Sequence, residues 1–287
     1  MNSYSLYIFD LDDTLFPTYK NVIKYHYPKL ADKLGVEYPG DDVVSRYWGK
    51  DLIKSLQGIF KVVPNNVIDI LLELHSEYKI EPFPNVRKIL STLKKHEKYV
   101  GIFTASFPDI MNYYINNYFV PKEKWFNFLL NTNAQHISKP SPHIVYLMME
   151  KYRQVFKREI RLSEVVVIGD SLADYYTSKN AQVDFAAVLT GPTGRDEFIQ
   201  AGLDQDHIYD SVQEALTPPD KHGIVAIIKN RQGEFLMVKE TRPDSPYLNH
   251  WSGPHGRCIP DDIIEEETVV RETHEETGML VRPLKKL

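Results

Sequence analysis

Residues 6–14, LYIFDLDDT, decide the fold of this chain. Four apolar residues are followed by Asp10 and Asp12, and a strand places residues i and i+2 on the same side. Two carboxylates so close together repel each other unless a cation or a shared proton lies between them. Because Mg²⁺ prefers oxygen ligands, the stretch predicts a magnesium site at the end of a strand. An Asx turn that begins a helix is the alternative interpretation.

Three further polar clusters lie at the ends of apolar stretches or at the start of a helix. Thr104 ends the stretch YVGIFT, and Lys139 stands just before a predicted helix. Asp170 ends the stretch VVVIG, and Asp174 follows four residues later. Continuous apolar strands are typical of parallel sheets, where ligand sites form at the carboxyl ends of the strands. We therefore expect the four clusters to form one site.

The residue types in these clusters suit phosphoryl transfer. One aspartate can attack phosphorus while a second handles the proton of the leaving group. A lysine beside the attacking aspartate keeps it ionised. The reaction also needs positive charge on the equatorial phosphate oxygens and an in-line nucleophile.

Over residues 4–216 the chain resembles the haloacid dehalogenase superfamily of phosphotransferases, in particular its first-subclass, phosphoglycolate-phosphatase-like members. The resemblance implies that Asp10 is the nucleophile and forms an aspartyl-phosphate. It implies that Asp12 is the general acid and then the base, and that its backbone carbonyl binds magnesium. The dehalogenases of this superfamily lack a carboxylate at that place, because halide needs no proton. The resemblance therefore implies a phosphatase or, as an alternative, a phosphomutase.

The same resemblance implies two sets of ligand-binding residues. The phosphate-binding set is Thr104, Ala105 and Lys139. The Mg²⁺-binding set is Asp10, Asp12 and Asp170. Lys139 would also neutralise Asp10, and Asp174 would support the metal shell or orient Lys139.

Composition limits the class of protein. The chain has 287 residues, a formal net charge of -5, 43% hydrophobic and 25% charged residues, which is ordinary for a soluble protein of two or three domains. Nothing in this balance favours nucleic acid or an anionic membrane as a partner. One cysteine, Cys258, excludes an internal disulfide. No apolar run approaches the ~20 residues of a membrane helix, and the chain opens on a strand rather than a secretory leader. We expect a cytoplasmic protein.

The alternation of predicted elements indicates an α/β fold with a doubly wound parallel sheet. Its core is predicted at 1–16 and 82–216, with strands at 99–104, 127–131, 165–170 and 185–190. Residues 17–81 lack strand-like alternation and form a helical insert, with one helix predicted over 41–56. The resemblance implies that this insert is the cap that closes over the site and selects the substrate. A linker at 217–221 leads to a second domain at 222–287, and the turn TGPTG at 190–194 has no assigned catalytic role.

The C-terminal domain has its own acidic pattern. Two apolar stretches flank the turn NRQG at 230–233, which predicts a hairpin. Further on, Glu272, Glu275 and Glu276 share one face of a predicted helix and could bind a divalent cation that holds a diphosphate. Residues 222–287 resemble the Nudix hydrolases of nucleoside-diphosphate derivatives. An acidic, solvated helix face is the alternative interpretation.

This second resemblance is partial. His255 replaces a glycine, the spacing from Gly256 to Arg271 is one residue longer, Asp261 or Asp262 replaces a glutamate, and Thr273 replaces an apolar residue. The later strands and helix of that fold are missing, and a domain of ~65 residues buries little apolar surface. We therefore expect a partial Nudix-like α+β domain without its own catalysis.

The leading hypothesis is a Mg²⁺-dependent phosphatase that acts on a small-molecule phosphomonoester. A phosphomutase, and a Nudix-type hydrolase or pyrophosphate-binding module, are the alternatives. Phosphoglycolate, a sugar phosphate and a nucleoside monophosphate all stay open as substrates, and a homo-oligomer stays open as the assembly.

Overall fold

The computed structural model describes residues 4–48, 52–131, 137–217, 223–259 and 261–284. The chain divides into two compact units, Tyr4–Ala215 and a second that includes Leu216–Leu287. Each unit is described by itself. The predicted linker lies outside the described residues, apart from Thr217.

The larger unit is built on a parallel sheet whose described strands follow the order β3-β2-β1-β4-β5-β6. The strands are β1 Leu6–Phe9, β2 Tyr99–Thr104, β3 Phe128–Asn131, β4 Val165–Gly169, β5 Asp184–Val188 and β6 Ile208–Tyr209. Strand β1 is central, and Phe9 is paired with Ile102 on one side and Ile168 on the other. This register brings the residues that follow β1, β2 and β4 to one edge of the sheet.

Helices cover both faces of this sheet and leave its central strands without solvent contact. Every residue of β1, β2 and β4 is buried, which explains their continuous apolar sequences. The helices of the core are α6 Val86–Lys95, α7 Pro108–Tyr118, α8 His143–Phe156, α9 Leu172–Ala181, α10 Arg195–Gln200 and α11 Val212–Leu216. Close packing explains Gly101, because the Met148 sulfur of α8 lies 2.6 Å from where a Cβ would stand. The α/β class with a parallel sheet is confirmed.

The helical insert follows β1 and contains only helices and turns in its described residues. It consists of α1 Thr18–Asn21, a π-helical turn Val22–His26, α2 Tyr27–Leu34, α3 Asp41–Ser45, α4 Leu52–Phe60 and α5 Val67–Glu77. The prediction of one helix over 41–56 is wrong, because α3 ends at Ser45 and a turn separates it from α4. Helix α5 packs against α7 of the core, where the Tyr113 hydroxyl donates to the His75 carbonyl at 2.7 Å.

The C-terminal unit contains two small antiparallel sheets and one helix among its described residues. Their elements are β7 Gly223–Val225, β8 Val238–Lys239, β9 Trp251–Ser252, β10 His255–Arg257 and α12 Glu265–Thr277. Strand β7 pairs with β10, and β8 pairs with β9. The predicted hairpin turn is present, since the Asn230 N–H donates to the Glu234 carbonyl at 3.0 Å and Gly233 has φ +91°. Apolar side chains of this unit are exposed, among them Val225, Ile227, Phe235 and Trp251.

In the described parts of the chain, no helix combines the length and the apolar character needed to cross a bilayer.

Candidate active site

A buried lysine lies between two aspartates at the carboxyl edge of the sheet. The Lys139 ammonium contacts Asp10 Oδ1 and lies 2.7 Å from Asp174 Oδ1. It also lies 4.2 Å from the centre of the Phe103 ring. Burial alone would lower the pKa of Lys139, but the charges and hydrogen bonds of Asp10 and Asp174 raise it above its ordinary value. Lys139 is therefore a permanent cation at this place.

Asp174 is held by the start of the helix that carries it. Its Oδ2 accepts from the Ser171 hydroxyl at 2.6 Å and from the Ser171 N–H at 3.1 Å, in a capping box of α9. Its Oδ1 faces Lys139. Gly169 makes room for this carboxyl group, since a Cβ there would lie 2.5 Å from Asp174 Cγ. Support of a metal shell and orientation of Lys139 both stay predictions for Asp174.

Asp12 lies on the other side of the site, next to Thr104. The Thr104 hydroxyl donates to Asp12 Oδ2 at 3.2 Å and accepts from the Ser106 N–H at 2.9 Å. Burial raises the pKa of Asp12, although the bond from Thr104 opposes the rise. A raised pKa suits a group that must carry a proton near neutral pH. Ala105 lies between Thr104 and Ser106, in the turn that leaves β2.

Asp170 lies at the end of β4 in a closely packed environment. Its Oδ1 accepts from the Thr14 hydroxyl at 3.2 Å. On its other side is the turn after β5: a Cβ at Gly191 would lie 1.9 Å from Asp170 Oδ2. The Asp170 carboxyl group therefore occupies the space that any side chain at 191 would need. Sequence reasoning gave this turn no role, and a glycine followed by proline is too common in turns to have indicated one.

Three of the predicted residues form a group with the geometry of a cation site. Ligand oxygens of Asp10, Asp170 and Asp174 lie within 4.8 Å of one another, and all three residues are buried. Burial and the charges of the neighbouring aspartates raise the pKa values of Asp10 and Asp170 well above the ordinary value, with Lys139 opposing the rise. Such a crowded, buried set of oxygen donors fits a hard divalent cation such as Mg²⁺.

Asp13 has contacts that sequence reasoning did not anticipate. Its backbone has φ +58°, and the residue is buried. Its carboxylate accepts from the Tyr19 N–H at 2.8 Å and from the Trp48 indole N–H at 3.0 Å. Burial raises the pKa of Asp13 to about 7, and these bonds limit the rise.

The three glutamates of α12 do not converge on one point. Glu272 pairs with Arg271 Nη1 at 2.7 Å, and Glu275 lies 3.7 Å from the same atom. Glu276 accepts from the His255 N–H at 3.2 Å. Among the described residues, the group of three acidic, histidine or cysteine side chains with ligand atoms within 4.8 Å is the aspartate group alone. A metal site at the glutamates stays a prediction.

Asp262, one of the two aspartates that could stand in for the glutamate of the Nudix pattern, contacts α12. Arg271 Nη2 lies 2.8 Å from Asp262 Oδ2, and the Thr268 hydroxyl donates to the same oxygen at 2.7 Å. Gly256 allows close approach of the helix, since a Cβ there would lie 1.8 Å from Glu272 Cδ. Contacts that hold α12 against the segment before it are therefore present in this unit.

The parallel sheet, the helical insert and the acidic site define a hydrolase of the α/β class. Residues 7–188 match the family described as haloacid dehalogenase-like hydrolases. The match covers more than half of the chain, and the chain belongs to this family. Residues 219–287 match the NUDIX domain, so the hydrolase domain is followed by a NUDIX domain. The resemblances seen in the sequence are thereby confirmed.

Solved structures share the fold of the larger unit. A protein from Bacteroides fragilis described as a haloacid dehalogenase-like hydrolase is 23% identical, with a TM-score of 0.58, and the match covers 73% of this chain and 98% of that chain. A predicted phosphoglycolate phosphatase from Haemophilus somnus is 16% identical, with a TM-score of 0.59 and coverages of 74% and 96%. A protein from Thermotoga maritima described as a β-phosphoglucomutase is 20% identical, with a TM-score of 0.55 and coverages of 72% and 94%. No curated protein matches the chain.

Proposed function

We propose that the protein is a Mg²⁺-dependent phosphatase that hydrolyses a small phosphomonoester through an aspartyl-phosphate on Asp10. One observation carries the proposal. The largely buried ammonium of Lys139 contacts the carboxylate of Asp10, which directly follows β1, and the carboxylate of Asp12 accepts from the hydroxyl of Thr104. This arrangement supports the roles of nucleophile for Asp10, proton donor for Asp12 and phosphate-binding groups for Lys139 and Thr104.

The first step is attack of Asp10 on phosphorus. Lys139 and Thr104, together with the backbone at Ala105, would bind the phosphate oxygens, and this fixes phosphorus beside Asp10. Lys139 favours the ionised form of Asp10, which is the nucleophilic form. As the negative charge leaves Asp10 for the phosphoryl group, the ammonium stays within reach of both. Positioning and charge stabilisation are the main contributions a protein makes to this reaction.

In this proposal Asp12 donates and accepts the proton that the reaction transfers. The protonated carboxyl group of Asp12 donates its proton to the alkoxide as the ester bond breaks. The resulting carboxylate then removes a proton from the water that attacks the aspartyl-phosphate. The raised pKa of Asp12 supports the first of these roles, because the acid must be protonated at the start.

Asp10 and Asp170, with the backbone carbonyl of Asp12, would hold Mg²⁺, while Asp174 orients Lys139. The ion would supply positive charge that balances the crowded carboxylates and the phosphate oxygens. Asp170 and Thr14 keep this side of the site in place through their hydrogen bond.

The helical insert is the reason to propose a small substrate. It lies between β1 and α6 in the chain. Through Tyr19 and Trp48 it contacts Asp13 in residues 10–16, the loop after β1 that we call the catalytic loop. We propose that it is the cap of residues 17–81, which excludes bulk water during transfer to Asp10 and contacts the leaving group. The core would then be 1–16 and 82–216.

A panel of phosphomonoesters with Mg²⁺, with free phosphate as the readout, tests the proposal. We expect turnover of at least one small ester, and loss of turnover in Asp10→Asn and Asp12→Ala with unchanged circular dichroism. Asp69→Asn, at an exposed position of α5, is the control and should keep full activity. Phosphate release that is unchanged in Asp10→Asn would contradict the proposal. Transfer of labelled phosphate between substrate positions without release would indicate the mutase instead.

The NUDIX match favours a second candidate for the C-terminal unit. It would be a hydrolase or binding module for nucleoside-diphosphate derivatives. Release of a monophosphate from such compounds that persists in Asp10→Asn and is lost in Glu275→Gln would support hydrolysis. Binding without release would support a recognition module, and neither would contradict the candidate.

A further inference from the structure

Asp13 connects the catalytic loop to the helical insert. The residue is 1% exposed, and its carboxylate accepts two hydrogen bonds, one on each oxygen. The Tyr19 N–H binds Oδ1 at 2.8 Å, and the Trp48 indole N–H binds Oδ2 at 3.0 Å. Both donors belong to the insert, whereas Asp13 directly follows the proposed general acid Asp12.

The backbone N–H and carbonyl of Asp13 are also held by hydrogen bonds. Its N–H donates to the Phe16 carbonyl at 2.7 Å and lies 3.0 Å from the Thr18 hydroxyl. Its carbonyl accepts from the hydroxyl of Thr190, in the turn whose Gly191 packs against Asp170. The backbone of Asp13 has a positive φ, +58°. One residue therefore contacts the insert, the catalytic loop and the turn beside Asp170.

Trp48 is itself held in place by its own segment. The preceding residue, Tyr47, packs against α4: its ring occupies the space of a Cβ at Gly58, and its carbonyl accepts from the Ser55 hydroxyl at 3.0 Å. The Trp48 ring lies edge-on to Tyr19, with 5.0 Å between ring centres. The indole thus reaches Asp13 from a segment that α4 supports.

We propose that Asp13 is a positioning residue, which keeps the helical insert closed on the catalytic loop by binding Trp48. The inference rests on the proposed phosphatase function and adds a part to it. When the Asp13–Trp48 hydrogen bond forms, the insert lies against the loop that carries Asp12, on the side where the leaving group must receive its proton. When the bond is absent, the insert opens more often, and water and substrate positions beside Asp12 are less well defined.

The chemistry of the carboxylate makes the bond testable with small changes. An asparagine at position 13 offers one oxygen and one NH₂ group, so it can accept from only one of the two N–H groups. We expect its oxygen to stay on the backbone N–H of Tyr19, so that the indole N–H of Trp48 faces a donor and loses its bond. A phenylalanine at position 48 keeps an aromatic ring and lacks the donor. Trp125 offers a matched control, because its buried indole nitrogen has no hydrogen-bond partner among the described residues.

A double-mutant cycle is the first test. We expect Asp13→Asn and Trp48→Phe each to lower kcat/KM for p-nitrophenyl phosphate about 10- to 100-fold, as misplaced positioning groups do. We expect kcat/KM of the double variant to be about equal to that of the less active single variant, since both changes remove the same bond. Trp125→Phe should keep the wild-type kcat/KM. Effects that multiply in the double variant, or an Asp13→Asn enzyme with wild-type kinetics, would overturn the proposal.

A second test needs no turnover. In a protein with Trp125→Phe and Trp251→Phe, Trp48 is the remaining tryptophan of the three, and its fluorescence reports on its own surroundings. We expect Asp13→Asn to increase acrylamide quenching of Trp48 several-fold while the far-ultraviolet circular dichroism stays the same. Unchanged quenching would show that Asp13 does not hold the insert. If the wild type hydrolyses no ester, the proposed function fails, and this measurement still decides whether the bond closes the insert.

Discussion

The Asp174 carboxylate lies 2.7 Å from the Lys139 ammonium, and neither group has appreciable contact with solvent. Lys139 also contacts Asp10, so the pair determines where the cation stands relative to the proposed nucleophile. Asp174 thereby acts on the reaction through Lys139, and its position in the first turn of α9 is fixed by Ser171.

Asp174→Asn should separate this positioning role from the role of Asp10. Lys139 keeps Asp10 as a charged partner but loses one charge-assisted hydrogen bond, and we expect the free energy of unfolding to fall by about 1.5–3 kcal/mol. We also expect kcat to fall at least tenfold, because Lys139 loses one of the two groups that orient it. Thermal unfolding and steady-state kinetics measure the two effects. An Asp174→Asn enzyme with normal kcat would contradict the role.

Gly191→Ala should weaken Mg²⁺ binding. The new methyl group would meet Asp170 Oδ2 at 1.9 Å, so the carboxylate or the turn must move. Groups that fix a metal ligand typically change metal affinity about 10- to 100-fold, and we expect the Mg²⁺ concentration for half-maximal activity to rise by that factor. Gly194→Ala in the same turn is the control: its φ is -83°, and its nearest contact would be 3.5 Å from Glu197. Equal Mg²⁺ dependence in the two variants would show that Gly191 has no such role.

Removal of Mg²⁺ should destabilise the larger unit as well as inactivate it. Asp10, Asp170 and Asp174 repel one another in a buried setting, and a ligand that binds only the folded state stabilises it by about 2.7 kcal/mol at a hundred times its Kd. We expect Mg²⁺ to raise the thermal midpoint of the wild type and to leave that of Asp170→Asn nearly unchanged. Chelator and Mg²⁺ titrations in differential scanning calorimetry measure this. A response in Asp170→Asn equal to that of the wild type would argue against a site at these residues.

His75 should make the stability depend on pH. Burial, together with the nearby His26, lowers the pKa of His75 from 6.5 to about 4, although the hydrogen bond to the Leu71 carbonyl opposes the shift. Because the unfolded state binds a proton in this window and the folded state does not, stability is complete above pH 6.5 and is lost as the pH falls toward 4. At ~1.4 kcal/mol per pKa unit the loss is about 3 kcal/mol. The free energy of unfolding, measured by urea denaturation at a series of pH values, should lose this part of its pH dependence in His75→Phe.

His143→Asn is the control for that measurement, because His143 is an exposed residue at the start of α8. It should keep the wild-type slope between pH 4 and 6.5. A His75→Phe protein with the same slope as His143→Asn would contradict the assignment to His75.

The sequence predicted the main parts of the site because parallel strands bring their carboxyl ends to one edge. Asp10, Thr104 and Asp170 each follow or end a buried strand, and these strands are neighbours in the sheet. Lys139 was recognisable for a different reason, namely the resemblance of its motif. The positions of site residues were therefore predictable where they depend only on the local sequence pattern and on the order of the strands.

The contacts of Asp13 and Gly191 were not predictable from the same rules. Asp13 lies beyond the end of β1 in a left-handed backbone conformation, so strand alternation does not predict where its side chain lies, and its partner Trp48 lies 35 residues further along the chain. Glu272, Glu275 and Glu276 show the opposite case: their spacing predicts a shared helix face, but Arg271 and His255 decide where the carboxylates point. Local spacing does not reveal such neighbours.

The register of β1 has a consequence for synthesis of the chain. Leu6 pairs with Val165 as well as with Tyr99, so β1 cannot complete its ladder until β4 has been synthesised. Contacts of such long sequence separation form late and slow folding. During translation the acidic end of β1 therefore waits without Lys139 and without one of its two neighbouring strands, and its apolar residues stay exposed until both have followed.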